Sequence, residues 1–153
     1  MDLAAAIAEL KRSTDTFGPF IRAQAERIPD RVALRFEDDT VTYGAYDRAV
    51  NRMAARLGRE GVARGTPVAI LAPNSPLFLV ALGAVAKLGA IGALINTHVT
   101  GAGLTHVLGA SGAAIGVCDA AALPALDLVA GSHPVGFLAD ARAKHLLRKP
   151  RRA

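Results

Sequence analysis

The amino-acid sequence predicts an α/β fold: a small parallel sheet with flanking helices, plus an N-terminal β-hairpin. Three observations carry this. Residues 68–72, 91–95 and 113–117 are short, uninterrupted apolar runs. Strands buried on both faces read this way, whereas a sheet with one wet face alternates. Helical stretches separate the runs, and parallel pairing needs such crossovers. Upstream, two segments with period-2 alternation flank an acidic turn, the pattern of a hairpin.

The elements follow in order. Phe17, Phe20, Ile21, Ala25 and Ile28 recur at helical spacing, with Pro19 in the first turn and Pro29 closing the helix. Val32, Leu34 and Phe36 alternate with Ala33, Arg35 and Glu37. Asp38 and Asp39 then supply turn chemistry, and Val41 and Tyr43 the returning strand. Tyr46, Ala49, Val50, Met53, Ala54 and Leu57 form a helical stripe opposite Arg48, Arg52, Arg56 and Arg59. Thr42 is positioned to cap this helix and Gly61 to end it. After the strand at 68–72, Pro73-Asn-Ser-Pro76 turns into a helix that stops at Gly89. Helices at 103–110 and 120–130 and a strand at 135–138 complete the pattern.

Composition excludes several function classes. Hydrophobic residues make up 52% and charged residues 20%, a balance that disordered chains lack. The single Cys118 excludes a disulfide framework or a zinc ribbon. Trp is absent and aromatics are 5%, so no base-stacking platform is available and no nucleic-acid partner is expected. The net charge of +5 divides unevenly: residues 1–141 hold 12 Lys+Arg against all 13 Asp+Glu. Residues 142–153 hold Arg142, Lys144, Arg148, Lys149, Arg151 and Arg152 and no acid. The basicity is therefore a tail, expected to be solvated and disordered over 141–153. Asp2 precedes the first basic pair, Lys11-Arg12, the reverse of a secretory signal. Lys87 interrupts the apolar run 76–95, and a lysine at mid-bilayer costs about 3 kcal/mol. The expected location is cytoplasmic, with membrane contact at most peripheral.

Reactive residues do not assemble at site spacing. His98, His106, His133 and His145 include no i, i+4 pair that would place two imidazoles on one metal. Cys118 has no base nearby in sequence and reads as a buried small hydrophobe. Gly101-Ala-Gly103 has two glycines of a dinucleotide fingerprint, but His106 stands at the third. No G-x-x-x-x-G-K-[ST] loop occurs. No catalytic, cofactor-binding or metal-ligating residue is assigned.

Four segments in order carry a resemblance: PFIRAQAERIPDRVALRF (19–36), VTYGAYDRAVNRMAARL (41–57), GTPVAILAPNSPLFLVALGAVAKLGAIGALINT (65–97) and GLTHVLGASGAAIGVCDA (103–120). Together they resemble the N-terminal part of the AMP-binding, adenylate-forming acyl-CoA synthetases. Lys87 through Asn96-Thr97 to His106 is most similar to the long- and very-long-chain fatty acyl-CoA synthetase, or fatty-acid transport, branch. The resemblance implies an incomplete N-terminal subdomain over residues 1–140. It also implies, for the full-length enzyme, ATP, Mg²⁺ and coenzyme A as cofactors and a fatty acid as substrate. In such enzymes a carboxylate attacks the α-phosphate of ATP, and coenzyme A then displaces AMP as a thioester. The Ser/Thr/Gly-rich loop ending in Pro-Lys-Gly that this needs lies downstream of the matched region. This chain alone is thus expected to be inactive, with exposed apolar surface that favours self-association. A stand-alone binding or dimerisation module derived from a synthetase is the competing expectation.

The sequence also departs from the family pattern. The T-Y-x-E-L motif appears as Thr42-Tyr-Gly-Ala45-Tyr46, which removes the glutamate half of a capping box. N-S-P-E-F appears as Asn74-Ser-Pro-Leu77-Phe78. His98-Val99-Thr100 stands where the fatty-acid branch tends to have Asn-Leu-Arg.

Overall fold

The computed structural model describes residues 17–132 and 135–139. Helix α1, Phe17–Arg27, leads into the antiparallel hairpin of β1, Val32–Phe36, and β2, Asp39–Thr42. Helix α2, Tyr43–Arg59, is followed by β3, Pro67–Leu71, and α3, Pro76–Lys87. Then come β4, Ile91–Leu94, α4, Gly101–Ala110, and β5, Ile115–Cys118. A 3₁₀ turn, Ala120–Ala122, precedes the short helix α5, Leu123–Asp127. A second 3₁₀ turn, Ala130–Ser132, leads to β6, Gly136–Ala139.

Strands β3 to β6 form one wholly parallel sheet in the order β4-β3-β5-β6. Its central strand explains the continuous apolar run. Val68 and Ile70 point to one face and pack with Tyr46, Val50 and Leu57 of α2 and Leu77, Val80 and Val85 of α3. Ala69 and Leu71 point to the other and pack with Leu104 and Leu108 of α4 and Leu126 of α5. Both faces are thus covered, and Val68 to Leu71 are all buried. The 135–138 strand expected from sequence is β6, paired in parallel with β5.

The caps follow the sequence. Thr42 Oγ1 accepts the Ala45 N–H at 3.3 Å, and Ser75 Oγ accepts the Phe78 N–H at 3.4 Å. Gly89, at φ 67°, takes the left-handed conformation that ends α3 and turns the chain into β4.

Four local expectations are corrected. The hairpin turns at Glu37-Asp38, and Asp39 already pairs with Phe36 in the ladder. Glu37, not an aspartate, supplies the positive φ of 52°. A register shift between Val32 and Leu34 breaks the alternation, so Val32 is exposed while Leu34 and Phe36 are half-buried. In α1 the buried positions are Gly18 and Ile21, leaving Phe17 and Phe20 exposed. Finally, the helix expected over 120–130 is broken. A proline inside it would remove an N–H and clash with the carbonyl four residues back. Pro124 instead sits in the first turn of a new helix, α5, after the Ala120–Ala122 turn. The tail 141–153, with His145, and also His133 lie outside the described residues.

Candidate functional site

In open parallel sheets the crevice beyond the strands' carboxyl ends, where successive connections leave for opposite faces, is the usual ligand site. Here the order β4-β3-β5-β6 puts that switch between β3 and β5, whose outgoing connections run to α3 on one face and α5 on the other. The connection after β3 runs into α3 on one face, and the one after β4 into α4 on the other. Between them is an open crevice of ≈ 400 Å³ lined by Ala72, Pro73, Asn74 and Phe78 from one side and Leu94 to His98 from the other. A second hollow of ≈ 260 Å³ adjoins it across Pro73 and Thr97 and reaches Asp119 at the end of β5.

Local sequence chemistry fixes these groups. Asn96 Oδ1 accepts the backbone N–H of His98 at 2.9 Å, an Asx turn that shapes the loop after β4. Asp119 Oδ1 accepts the Ala121 N–H at 2.9 Å, so the carboxylate caps the 3₁₀ turn. Its own N–H donates to the Leu71 carbonyl at 3.1 Å, tying the loop to β3. Cys118, just before it, is fully buried, and burial, followed by the Asp119 charge, pushes its thiol up to about 11. At neutral pH it is a protonated thiol among apolar neighbours, not a nucleophile.

The crevice therefore offers amide, hydroxyl and imidazole groups of Asn74, Asn96, Thr97 and His98 for hydrogen bonding. It contains no nucleophile paired with a base. Among the described residues no group of three or more His, Cys, Asp or Glu could hold a metal ion. His106 is exposed on α4 and lines neither hollow. Asp38 and Asp39 lie in the hairpin. Gly101 and Gly103 open α4, whose N-cap Thr100 makes no side-chain bond. Sequence reasoning named no site at 72–74 and 95–98. The signal that finds it is topological, the order β4-β3-β5, and that order cannot be read from three apolar runs alone.

A second polar cluster joins the helices on the other face. Lys87 Nζ lies 3.4 Å from Asp47 Oδ1 and also donates to Asn51 Oδ1. Asn51 Nδ2 completes the ring by donating to Asp47 Oδ2 at 2.8 Å. Lys87 is thus a bridge from α3 to α2. No helix among the described residues is long and apolar enough to cross a membrane.

The α/β fold, a four-stranded parallel sheet preceded by a hairpin, matches the N-terminal domain of adenylate-forming enzymes. The N-terminal domain of FACL13 from Mycobacterium tuberculosis superimposes with a TM-score of 0.75 at 26% identity, covering 88% of this chain and 35% of that one. A putative long-chain-fatty-acid CoA ligase from Rhodopseudomonas palustris gives 0.75 at 26%, covering 88% and 36%. The pattern that defines the AMP-binding enzymes matches residues 21–147, and the chain belongs to that family. Its relatives include the medium/long-chain-fatty-acid–CoA ligase FadD6 of M. tuberculosis, 39% identical over 97 residues, 63% of this chain and 16% of the relative. The long-chain-fatty-acid–CoA ligase FadD13 of the same species is 34% identical over 104 residues, 67% and 21%. The chain corresponds to part of the N-terminal domain of acyl-CoA ligases and spans about a fifth of the length of these relatives.

Proposed function

We propose that this chain is the N-terminal portion of an ATP-dependent fatty acyl-CoA synthetase and does not catalyse adenylation by itself. One observation carries the reading. The sequence matches fatty-acid–CoA ligases through the first βαβ units, yet none of its 153 residues forms a Ser/Thr/Gly-rich loop ending in Pro-Lys-Gly. The crevice supports it, since Asn74, Asn96, Thr97 and His98 form no glycine-rich phosphate cradle. In the whole enzyme ATP and Mg²⁺ serve formation of an acyl-adenylate from a fatty acid, and coenzyme A takes the acyl group as a thioester. On this reading residues 1–140 form the partial synthetase domain and 141–153 a basic tail, in a cytoplasmic protein. Any membrane contact is peripheral and removed by salt. Sequencing the coding DNA past codon 153 tests the reading. A downstream loop ending in Pro-Lys-Gly is the expected result, and its absence from all frames contradicts it.

One observation favours a second reading, a binding or dimerisation module derived from a synthetase. Strand β4 is an edge of the sheet, and its Ile91 and Leu94 are 57% and 55% exposed. Unguarded apolar edge strands associate. Sedimentation equilibrium tests this second reading: a monomer at all concentrations removes the dimerisation module.

A further inference from the structure

We propose that the outer face of α2 docks on a membrane surface of acidic lipid, with the guanidinia of Arg48, Arg52, Arg56 and Arg59 against the headgroup phosphates. The inference stands whether or not the chain is a piece of a ligase.

The row of charge supplies the first part of the argument. The four arginines follow one another at steps of four, four and three residues along a continuous helix. They therefore fall within about 80° of one another around the axis and extend about 16 Å along it. Arg48, Arg52 and Arg59 are exposed and Arg56 is half-buried. None of the four pairs with an acid among the described residues. Asp47, beside the row, is already held by Lys87 and Asn51. Glu60, at the end of the helix, bonds none of the four.

What the face lacks supplies the second part. Its other exposed residues are Asn51, Ala55 and Gly58. The large apolar side chains of α2, Tyr46, Val50, Met53 and Leu57, are buried in the core beneath it. No exposed large hydrophobic among the described residues lies on this helix. A further layer of the same domain packs through an apolar stripe, and a folded partner protein through an apolar centre. Either would have to bury four unpaired guanidinia on this face with no apolar contact in return. The amphipathic pattern thus makes α2 an outermost helix, whose free face suits a partner recognised by charge alone.

An acidic lipid surface is such a partner. It is flat on the scale of a helix, and its phosphates fit the two-pronged donor of each guanidinium. A cluster of four or more Lys/Arg on an amphipathic helix is the pattern by which acidic lipid is recognised. With no apolar side chain to insert, the contact is wholly electrostatic. A nucleic acid also carries phosphates, but this face has no aromatic ring to stack a base and only the Asn51 amide to read one.

The test sediments the full 153-residue chain with vesicles of phosphatidylcholine alone or mixed with phosphatidylserine. The expected result is binding to the mixed vesicles only, released by about 0.5 M salt. Arg52→Gln with Arg59→Gln weakens it about tenfold or more. Replacing Arg148, Lys149, Arg151 and Arg152 by Gln leaves at least about half of the binding. A lipid with a nitroxide headgroup repeats the test without any substitution. It should broaden the Arg52 and Arg59 amides of the ¹⁵N-labelled chain before those of β4. Four results overturn the proposal. These are no binding to the mixed vesicles; equal binding to neutral ones; binding or broadening that follows residues 148–152 and ignores Arg52 and Arg59; and tighter binding to an oligonucleotide than to vesicles, which makes a nucleic acid the occupant.

Discussion

The hydroxyl of Tyr46 lies 3.0 Å from the point where a Cβ on Gly83 would stand, and the same hydroxyl donates to the Leu79 carbonyl at 2.8 Å. Helices α2 and α3 approach closely because residue 83 has no side chain, and Tyr46 uses that approach to reach a backbone acceptor on the facing helix. Val50 Cγ2 would be 2.8 Å from the same Cβ, so no single rotamer change makes room.

Gly83→Ala is therefore expected to destabilise the chain by about 1–3 kcal/mol, the usual range for overpacking. The better helix propensity of alanine returns up to about 1 kcal/mol of this. Urea denaturation followed by circular dichroism checks it. A variant as stable as the parent would show that the two helices can separate freely.

Burial alone raises the Tyr46 phenol to about 12 and is the larger cause raising Cys118 to about 11. Both groups are neutral when protonated and ionise more readily in the unfolded chain. Their contribution is whole below about pH 9 to 10 and is lost as pH rises toward the folded values. The unfolded chain sheds protons first, so stability falls by about 2–3 kcal/mol for each group over this range. Tyr46→Phe should flatten the upper part of the fall and Cys118→Ala the lower part, read as melting temperature against pH.

Lys87→Met leaves Asp47 and Asn51 paired with each other but cuts the tie between α3 and α2. The ion pair is partly exposed, with side chains 29% and 16% accessible, so solvent screens much of its Coulomb energy. A double-mutant cycle between Lys87 and Asp47 should give a coupling of about 0.5–1 kcal/mol. Zero coupling would make the contact incidental.

Much of the fold was legible in the sequence, and for physical reasons. The run at 68–71 is apolar at every position because Val68 and Ile70 face one core and Ala69 and Leu71 the other. Thr42 and Gly89 announced helix ends through local chemistry that needs no tertiary context. The misreadings fall where context decides. Phe17 and Phe20 share helical spacing with Ile21, but α1 packs through Gly18 and Ile21 and leaves both rings in solvent. The bulge at Ala33 has no signature in residues 32–36. Pro124 was a readable signal that the helix would restart there. The crevice at Asn74, Asn96, Thr97 and His98 was not readable, because it depends on β4 lying beside β3 on one side and β5 on the other.

If the exposed edge of β4 drives association, Ile91→Lys together with Leu94→Lys should render the chain monomeric by sedimentation equilibrium. Their exposure keeps the cost in stability small, within about 0.5 kcal/mol each. Unchanged association in the double variant would move the contact elsewhere.

We propose that this chain carries the N-terminal part of an acyl-CoA ligase without the groups that activate a carboxylate. Fatty-acid-dependent ATP–pyrophosphate exchange tests it most directly. The purified chain with ATP, Mg²⁺ and dodecanoate should exchange no label above the protein-free blank. Exchange that rises with dodecanoate and follows the chain through purification would contradict the claim.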